Sequence, residues 1–178
     1  MKVLLHVCCG VCAGSVAERL LAEGHQVIGH FYNPNIHPEA EYARRIKVAA
    51  IVSHSIGFRL TEDDYRPEDW FRAIAGLENE PEGGKRCEAC YRMRLESTFL
   101  LMQFRGFDAF TTTLTVSPHK SAAVINRIGR EIGGDKFLAR DFKKKDGFKR
   151  SNEIAKKLGV YRQHYCGCVY SMGQIHED

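Results

Sequence analysis

The sequence predicts a single α/β domain built on a doubly wound parallel sheet. Short apolar runs of strand length alternate with longer segments of helical periodicity, as in repeated strand–helix–strand units. The first run, VLLHV at 3–7, is apolar enough for a parallel strand that is covered on both faces. A chain of 178 residues, 44% hydrophobic and 27% charged, is also large enough for one substantial core.

The N-terminal third alternates strand and helix. In order, we predict a strand at 3–7, a helix at 15–24, a strand at 25–32, a helix at 39–57 and a strand at 58–64. The first helix has Ser15 available as its N-cap and Gly24 at its end. The second helix places one apolar stripe on one face, formed by Tyr42, Ile46, Ala49 and Ala50.

The remainder of the chain begins with a helical middle and then returns to alternation. We predict helices at 67–79 and 87–106, a strand at 107–116, a helix at 120–134, a strand at 135–142 and a helix at 151–160. Ser151 or Asn152 can cap the last helix. No repeat, linker or low-complexity tract interrupts this order. We therefore expect one domain over 1–178, with a basic, cysteine-bearing segment at about 140–178.

Composition narrows the class of protein. No run approaches the ~20 apolar residues that cross a bilayer, and the N-terminus lacks the features of a secretory signal. We therefore expect a cytoplasmic protein with no membrane partner. The seven cysteines are odd in number and fall into three clusters, which in a reducing compartment indicates metal or redox chemistry instead of a disulfide framework.

The stretch HVCCGVC places three cysteines, Cys8, Cys9 and Cys12, directly after the first strand. In an open parallel sheet, ligands bind beyond this end of the strands. Gly10 permits a tight turn, and the following helix offers free N–H groups and the positive end of its dipole. Both features favour thiolate, so we expect lowered pKa values for these thiols. Cys9 and Cys12 also have the spacing of a thioredoxin-type C-x-x-C pair.

Two further pairs contain the other four cysteines. Cys87 and Cys90 form a C-x-x-C at a helix start, and can join the N-terminal thiols in a zinc or iron–sulfur site. Cys166 and Cys168 form a C-x-C, whose disulfide would be strained and easily reduced, with Gly167 permitting the unusual backbone. A metal centre beside a dithiol accounts for all three clusters, whereas a structural zinc site accounts for fewer.

The net charge of +4 is concentrated near the C-terminus. Between Arg140 and Arg162, nine Lys or Arg stand against three acidic residues, so this segment carries +6 and the rest of the chain −2. A basic stripe of this kind is the usual footprint of a polyanion, although a solvated helix face is the alternative. The candidate polyanion contacts are Lys143, Lys144, Lys145, Lys149 and Arg150.

Five motifs in order resemble the QueH family of epoxyqueuosine reductases: HVCCGVC, KRCEACYRMRLE, TTTLTVSPHK, DFKKKDGFKRS and YRQHYCGCVYS. The resemblance extends from Val3 to about Ser171. One difference is Val11, where family members more often have proline. The resemblance implies an α/β fold like that of the adenine-nucleotide α-hydrolase (HUP-like) group, with cysteines in place of a glycine-rich nucleotide loop.

The resemblance also implies the last step of queuosine biosynthesis, reduction of epoxyqueuosine to queuosine at the wobble position of tRNA. It implies a cobalamin-independent oxidoreductase. By position, Cys8, Cys9, Cys87 and Cys90 match the ligands of a 4Fe-4S iron–sulfur cluster, and Cys166 and Cys168 match a redox-active pair. A second, mononuclear iron held partly by Cys12 could act as a Lewis acid on the epoxide.

The partners implied are a tRNA carrying epoxyqueuosine and an unidentified electron donor. The basic stripe would contact phosphates, and three tyrosines, Tyr161, Tyr165 and Tyr170, could stack on anticodon bases. Two other functions stay open from the residues alone. One is a thioredoxin-like thiol–disulfide oxidoreductase that uses Cys9 and Cys12, and the other is a zinc-dependent tRNA-binding module without catalysis.

Overall fold

A computed structural model describes residues 1–172. Its strands are β1 (Lys2–His6), β2 (Gln26–Phe31), β3 (Arg59–Glu62) and β4 (Ala109–Thr112). Its helices are α1 (Gly10–Ala22), α2 (Glu39–Ile56), α3 (Pro67–Ala73), α4 (Lys85–Phe104), α5 (Ala122–Gly133) and α6 (Gly147–Leu158). Positions 173–178 of the predicted C-terminal segment lie outside the described residues. In the described part of the chain, no helix is long and apolar enough to cross a membrane.

The four strands form one parallel sheet in the order β3-β2-β1-β4. Side chains alternate across β1, so Val3 and Leu5 enter the core that contains α1 and α2, whereas Leu4 enters the core beneath α4 and α5. All three are fully buried, as expected for a central strand with helices on both faces. The prediction of an α/β fold with a doubly wound parallel sheet is confirmed.

The order of the strands reverses between β1 and β4. From β1 the chain steps outward through β2 to β3, and then returns by α3 and α4 to place β4 on the other side of β1. In doubly wound sheets, a crevice opens at this switch point, beyond the carboxyl ends of the two strands. The loop after β1 carries Cys8 and Cys9, so the fold delivers the N-terminal cysteines to that crevice.

The predicted fifth strand at 135–142 is wrong. Only Phe137 pairs with the sheet, as a single bridge to Phe110. The amide of Leu138 donates to the Phe110 carbonyl at 2.9 Å, but the Leu138 carbonyl accepts from the Thr111 hydroxyl at 2.9 Å. Because a side chain takes the place of the next backbone partner, the ladder stops after one bridge.

Two predicted helix starts are also wrong. The first helix begins at Gly10, because the Cys9 sulfur accepts from the Cys12 amide at 3.3 Å and acts as the N-cap in place of Ser15. The last helix begins at Gly147, so Ser151 and Asn152 lie inside it and do not cap it. In the second helix Tyr42 and Ala49 are buried as predicted, whereas Ala50 is exposed.

Candidate metal and redox centre

The switch-point crevice is narrow, with a cavity of about 70 Å³. It lies between the loop after β1, the segment after β4, the start of α6 and the chain at 162–166. The residues of chemical interest that line it are Cys8, Cys12, Arg45, Arg94, Lys120 and Cys166. Thiols from two of the three clusters therefore border one small space together with four cations, the fourth being Arg162.

Cys8 is held at the end of β1 by the neighbouring strand. Its amide donates to the Thr113 hydroxyl oxygen at 2.9 Å, and that hydroxyl donates to the Cys8 sulfur at 3.1 Å. The pKa of the Cys8 thiol is raised, first by the hydrogen bond with Cys9 and then by burial. Thr113 follows β4 directly, so the pairing of β4 with β1 positions this sulfur.

Cys9 and Cys12 both belong to the apolar core that contains α1, and Cys12 also lines the crevice. Cys9 is 1% exposed, and its sulfur caps the helix that contains Cys12. The pKa of the Cys9 thiol is raised to about 12, chiefly through its hydrogen bond with Cys12. The sequence predicts lowered pKa values in this loop, and for Cys8 and Cys9 that prediction is wrong, because neighbouring thiols and burial outweigh the helix dipole.

Cys87 and Cys90 lie in the first two turns of α4. The Cys87 sulfur accepts from the Gly83 amide at 3.3 Å, and Cys90 is buried beside Trp70. Burial raises the pKa of both thiols, that of Cys90 to about 11. The surroundings of Cys87 and Cys90 therefore disfavour the charged thiolate form. A bound cation would be needed to hold both sulfurs as thiolates at neutral pH.

Cys166 and Cys168 are free thiols in different surroundings. Cys166 is half-buried and lines the crevice, whereas Cys168 packs with Trp70, Ile74 and Cys90 and donates to the Ser171 hydroxyl at 3.5 Å. Gly167 between them has a φ of +123°, a region that favours glycine. The unusual backbone predicted at Gly167 is present.

The C-terminal pair is the electrostatic neighbour of the α4 pair. Charge on Cys166 and Cys168 raises the pKa of Cys87, and charge on Cys166 and Cys87 raises that of Cys90, in each case after burial as the larger cause. Cys8 and Cys87 both border the core beneath α4 and α5. Cys8, Cys12 and Cys166 thus line the crevice, the α4 pair lies beside Cys166 and Cys168, and Cys9 lies farther inside.

No three Cys, His, Asp or Glu side chains of residues 1–172 converge closely enough to hold one metal ion. A single zinc ion needs its four ligands around one point. A 4Fe-4S cluster binds each thiolate through a different iron, so its ligands stand farther apart than those of one ion. Among residues 1–172, the thiols are therefore not arranged as a closed zinc site with four ligands around one point.

Two cations that sequence analysis missed lie among the thiols. Arg94 is 2% exposed; it donates from Nε to the Cys90 carbonyl at 3.2 Å and from Nη1 to Asn33 at 3.3 Å, whereas its buried Nη2 has no partner. Burial opposes the positive charge of Lys120, but Cys166, Tyr91 and Cys8 outweigh it and raise the pKa of this amine. An iron–sulfur cluster with four thiolate ligands carries net negative charge, which these cations would offset.

The i, i+4 spacing of Cys90 and Arg94 places them on one face of α4 and was the available sequence signal for Arg94. Lys120 ends the motif TTTLTVSPHK, but local sequence does not reveal its crevice neighbours Cys8, Tyr91 and Cys166, which are far away along the chain. The unpartnered Arg94 nitrogen and the donor set of thiols fit an anionic, thiolate-ligated metal cluster.

The predicted polyanion contacts lie on and before α6, whose Phe148, Ser151 and Asn152 border the crevice. Lys143 is half-buried, and its Nζ donates to the carbonyls of Thr115 and Lys120 at 3.3 and 3.0 Å. Arg150 forms a two-point ion pair with Glu18, both contacts at 2.8 Å. The exposed lysines of the set are Lys144, Lys145 and Lys149.

The three tyrosines considered for base stacking are engaged by side-chain contacts. Tyr161 donates to Glu41 at 2.9 Å and Tyr165 to the His37 carbonyl at 2.8 Å. The guanidinium of Arg86 covers the ring of Tyr170 at 4.6 Å from its centroid. Their role in stacking stays a prediction.

The fold and the crevice define a doubly wound α/β protein of HUP-like architecture, with a thiol-lined centre at the switch point of its sheet. Comparison with known sequences names the family. The model of the epoxyqueuosine reductase QueH family matches residues 3–174, nearly the whole chain. The chain belongs to this family, which confirms the resemblance inferred from the five motifs.

Curated relatives cover the chain to the same extent. An epoxyqueuosine reductase QueH of Streptococcus pyogenes is 40% identical over 96% of this chain and 70% of the relative. That of Staphylococcus epidermidis is 38% identical over 96% of the chain and 76% of the relative. That of Thermotoga maritima is 36% identical over 96% and 90%. These relatives bear the name of an oxidoreductase.

Proposed function

We propose that the protein reduces epoxyqueuosine to queuosine at the wobble position of tRNA, as a cobalamin-independent iron–sulfur enzyme. The observation that carries the proposal is that Cys8, Cys12 and Cys166 line one crevice, with the α4 pair as the neighbour of Cys166, in a chain of the QueH family. The names of its relatives supply the substrate. The chemistry of the crevice supplies thiols and cations of the kind that the reaction needs.

We propose Cys8, Cys9, Cys87 and Cys90 as the ligands of a 4Fe-4S cluster. Such a cluster, when bound, supplies single electrons at low potential. Burial around Cys9 and Cys90 would keep water from its sulfurs, and Arg94 would balance its charge. A second, mononuclear iron held partly by Cys12, which also lines the crevice, stays a prediction.

Conversion of an epoxide to an alkene and water consumes two electrons and two protons. Oxidation of the Cys166 and Cys168 thiols to a disulfide releases two electrons and two protons, so the pair balances one turnover. Cys166 lines the crevice and Cys168 packs with Cys90, and these contacts support a role for the pair between the substrate space and the proposed cluster. An external electron donor must then reduce the disulfide.

Lys120 and Arg94 would stabilise the negative charge that develops on the epoxide oxygen. Both line the crevice, and Cys166, Tyr91 and Cys8 raise the pKa of Lys120 despite burial, which favours its charged form. Fixed positive groups aimed at a developing oxyanion are among the larger contributions to catalysis. The exposed Lys144, Lys145 and Lys149 would bind tRNA phosphates beside this opening.

The direct experiment is a single-turnover assay with anaerobically purified protein and tRNA that contains epoxyqueuosine. The tRNA is then digested, and its nucleosides are separated and identified by mass spectrometry. The proposed reaction yields, without added cobalamin, a nucleoside whose mass is lower than that of epoxyqueuosine by one oxygen atom. Insulin disulfide reduction is measured with the same protein. Insulin reduction without loss of the epoxide oxygen would favour the thioredoxin-like function of Cys9 and Cys12.

A further inference from the structure

The C-terminal cysteines lie on a segment without helix or strand. Between the end of α6 and Cys168, no residue belongs to a regular element, so backbone hydrogen bonds of that kind do not hold this stretch. Contacts other than those of helix and strand therefore position Cys166, and side chains provide several of them.

One buried arginine on α2 provides most of these contacts. Arg45 is 3% exposed; its Nη1 donates to the Cys166 carbonyl at 2.9 Å, and its Nη2 donates to the Tyr165 carbonyl at 3.1 Å. Its Nε donates to Glu41 at 2.7 Å, and Glu41 also accepts from the Tyr161 hydroxyl at 2.9 Å. One guanidinium thus joins α2 to two consecutive carbonyls and to a buried carboxylate.

Only arginine has the geometry for this arrangement. Its planar fork presents five N–H donors in fixed directions, whereas the ammonium of lysine is a single point. A buried cation is costly unless it is paired and hydrogen-bonded, and Glu41 with the two carbonyls satisfies that condition. The cost of burial is thus offset by contacts whose main consequence is the position of Cys166.

Two further contacts complete the attachment of the loop. The His37 amide donates to the Gly167 carbonyl at 2.7 Å, and the Tyr165 hydroxyl donates to the His37 carbonyl at 2.8 Å. A Cβ on Gly167 would lie 2.9 Å from Arg45 Nη1 and 3.1 Å from Ile36 Cγ1. Glycine at 167 therefore allows the guanidinium to approach the loop as closely as it does.

We infer that Arg45 is a positioning residue for the Cys166–Gly167–Cys168 loop, holding the pair in its dithiol conformation; this inference rests on the proposed redox function of the pair. Closing a disulfide across a single residue demands a backbone different from one in which the two thiols have separate surroundings. Contacts made in the dithiol form alone shift the equilibrium towards the dithiol. Arg45 thereby makes the disulfide easier to reduce after each turnover.

The test compares Arg45→Lys and Arg45→Met with Lys47→Met, an exposed cation on the same helix. Holoenzyme is equilibrated anaerobically in thiol–disulfide buffers, quenched, alkylated and digested with trypsin. Cleavage after Arg162 leaves the peptide 163–178, whose only cysteines are Cys166 and Cys168. The mass of this peptide reports the redox state of the pair and of no other thiol.

We expect Arg45→Met to raise the equilibrium constant for disulfide formation about tenfold, because two charge-assisted hydrogen bonds to the dithiol form are lost. The equilibrium constant of Arg45→Lys should lie between those of Arg45→Met and the wild type, and that of Lys47→Met should equal the wild-type value. In native holoenzyme, the rate at which Cys166 is alkylated should differ at least fivefold between Arg45→Met and the wild type, while the iron content stays the same. Equal redox equilibria in Arg45→Met and wild type would overturn the inference.

Two outcomes separate this inference from the proposed function. If the wild-type pair never oxidises in any buffer, the dithiol function is wrong, and the alkylation rate of Cys166 alone decides whether Arg45 positions the loop. If Arg45→Met does not fold, Gly167→Ala displaces the guanidinium from the opposite side without leaving Glu41 unpaired. An unchanged Cys166 alkylation rate in Gly167→Ala would likewise contradict the inference.

Discussion

Replacing Gly10 by alanine tests the contact that seats the cysteine loop against the second helix. Gly10 is the first residue of α1, directly after Cys9. A Cβ at this position would lie 2.6 Å from the Ala49 amide nitrogen, 2.7 Å from the Ala49 Cα and 2.8 Å from the Val48 carbonyl carbon. These atoms belong to the backbone of α2 and cannot rotate away as a side chain can.

The size of the effect follows from those distances. Ordinary Cβ contacts begin near 3.4 Å, so the closest one is short by 0.8 Å and the two helices must separate at this point. Overpacking of this kind costs about 1–3 kcal/mol, and the better helix propensity of alanine returns up to about 1 kcal/mol. We expect a net loss of about 1–2 kcal/mol, or roughly 2–8 °C in Tm for a chain of this size.

Urea unfolding of anaerobic protein, followed by circular dichroism, measures the loss. The matched control is Gly14→Ala in the same helix, where the nearest atoms are the side-chain carbons Ile154 Cδ1 and Val52 Cγ1, both at 2.9 Å. Those side chains can adjust, so Gly14→Ala should lose less stability than Gly10→Ala. Equal stability of Gly10→Ala and wild type, or a larger loss in Gly14→Ala, would refute the packing argument.

Three further predictions concern the site. The pKa of the Cys9 thiol is about 12, so in metal-free protein at pH 8 its alkylation should be about a thousandfold slower than that of a thiol of pKa 9. The alkylation rate should still rise above pH 10, and a rate that reaches a plateau near pH 7 would contradict the prediction. Thr113→Val should destabilise the fold by about 1–3 kcal/mol in urea titrations, since the Cys8 amide loses its acceptor, whereas Thr113→Ser should retain most of that stability. The three exposed lysines are Lys144, Lys145 and Lys149. Replacing all three by glutamine should reduce the slope of log Kd for tRNA against log salt concentration by up to about 2.7. An unchanged slope would show that these lysines do not contact tRNA phosphates.

The sequence predicted most of the sheet and the place of the first cysteine cluster, because both depend on local pattern. The apolar run before HVCCGVC is β1 within one residue at each end, and alternation with helices led to a parallel sheet and a crevice at the carboxyl end of β1. The false strand at 135–142 has the composition of a strand. Pairing with the sheet ends there because the Thr111 hydroxyl donates to the Leu138 carbonyl, a contact that local sequence cannot reveal.

The residues that hold the site together were harder to predict. Arg45 is one of two adjacent arginines on a charged helix, and its partners Tyr165 and Cys166 lie 120 and 121 positions away. Arg94 also resembles a solvated helix residue until α4 is packed against the sheet. A Cys9 sulfur as N-cap is outside the usual set of Ser, Thr, Asp and Asn, so the start of α1 was placed at Ser15.

Iron and acid-labile sulfide per chain, measured in anaerobically purified wild-type protein and in Cys87→Ser, Cys90→Ser and Cys166→Ser, test the central claim most directly. The proposed ligand set predicts a full 4Fe-4S complement in the wild type and in Cys166→Ser, and loss of that complement in the two α4 variants. Each variant is checked for folding by circular dichroism. A full complement in Cys87→Ser or Cys90→Ser, or loss of iron in Cys166→Ser, would contradict the account and make Cys166 a cluster ligand in the latter case.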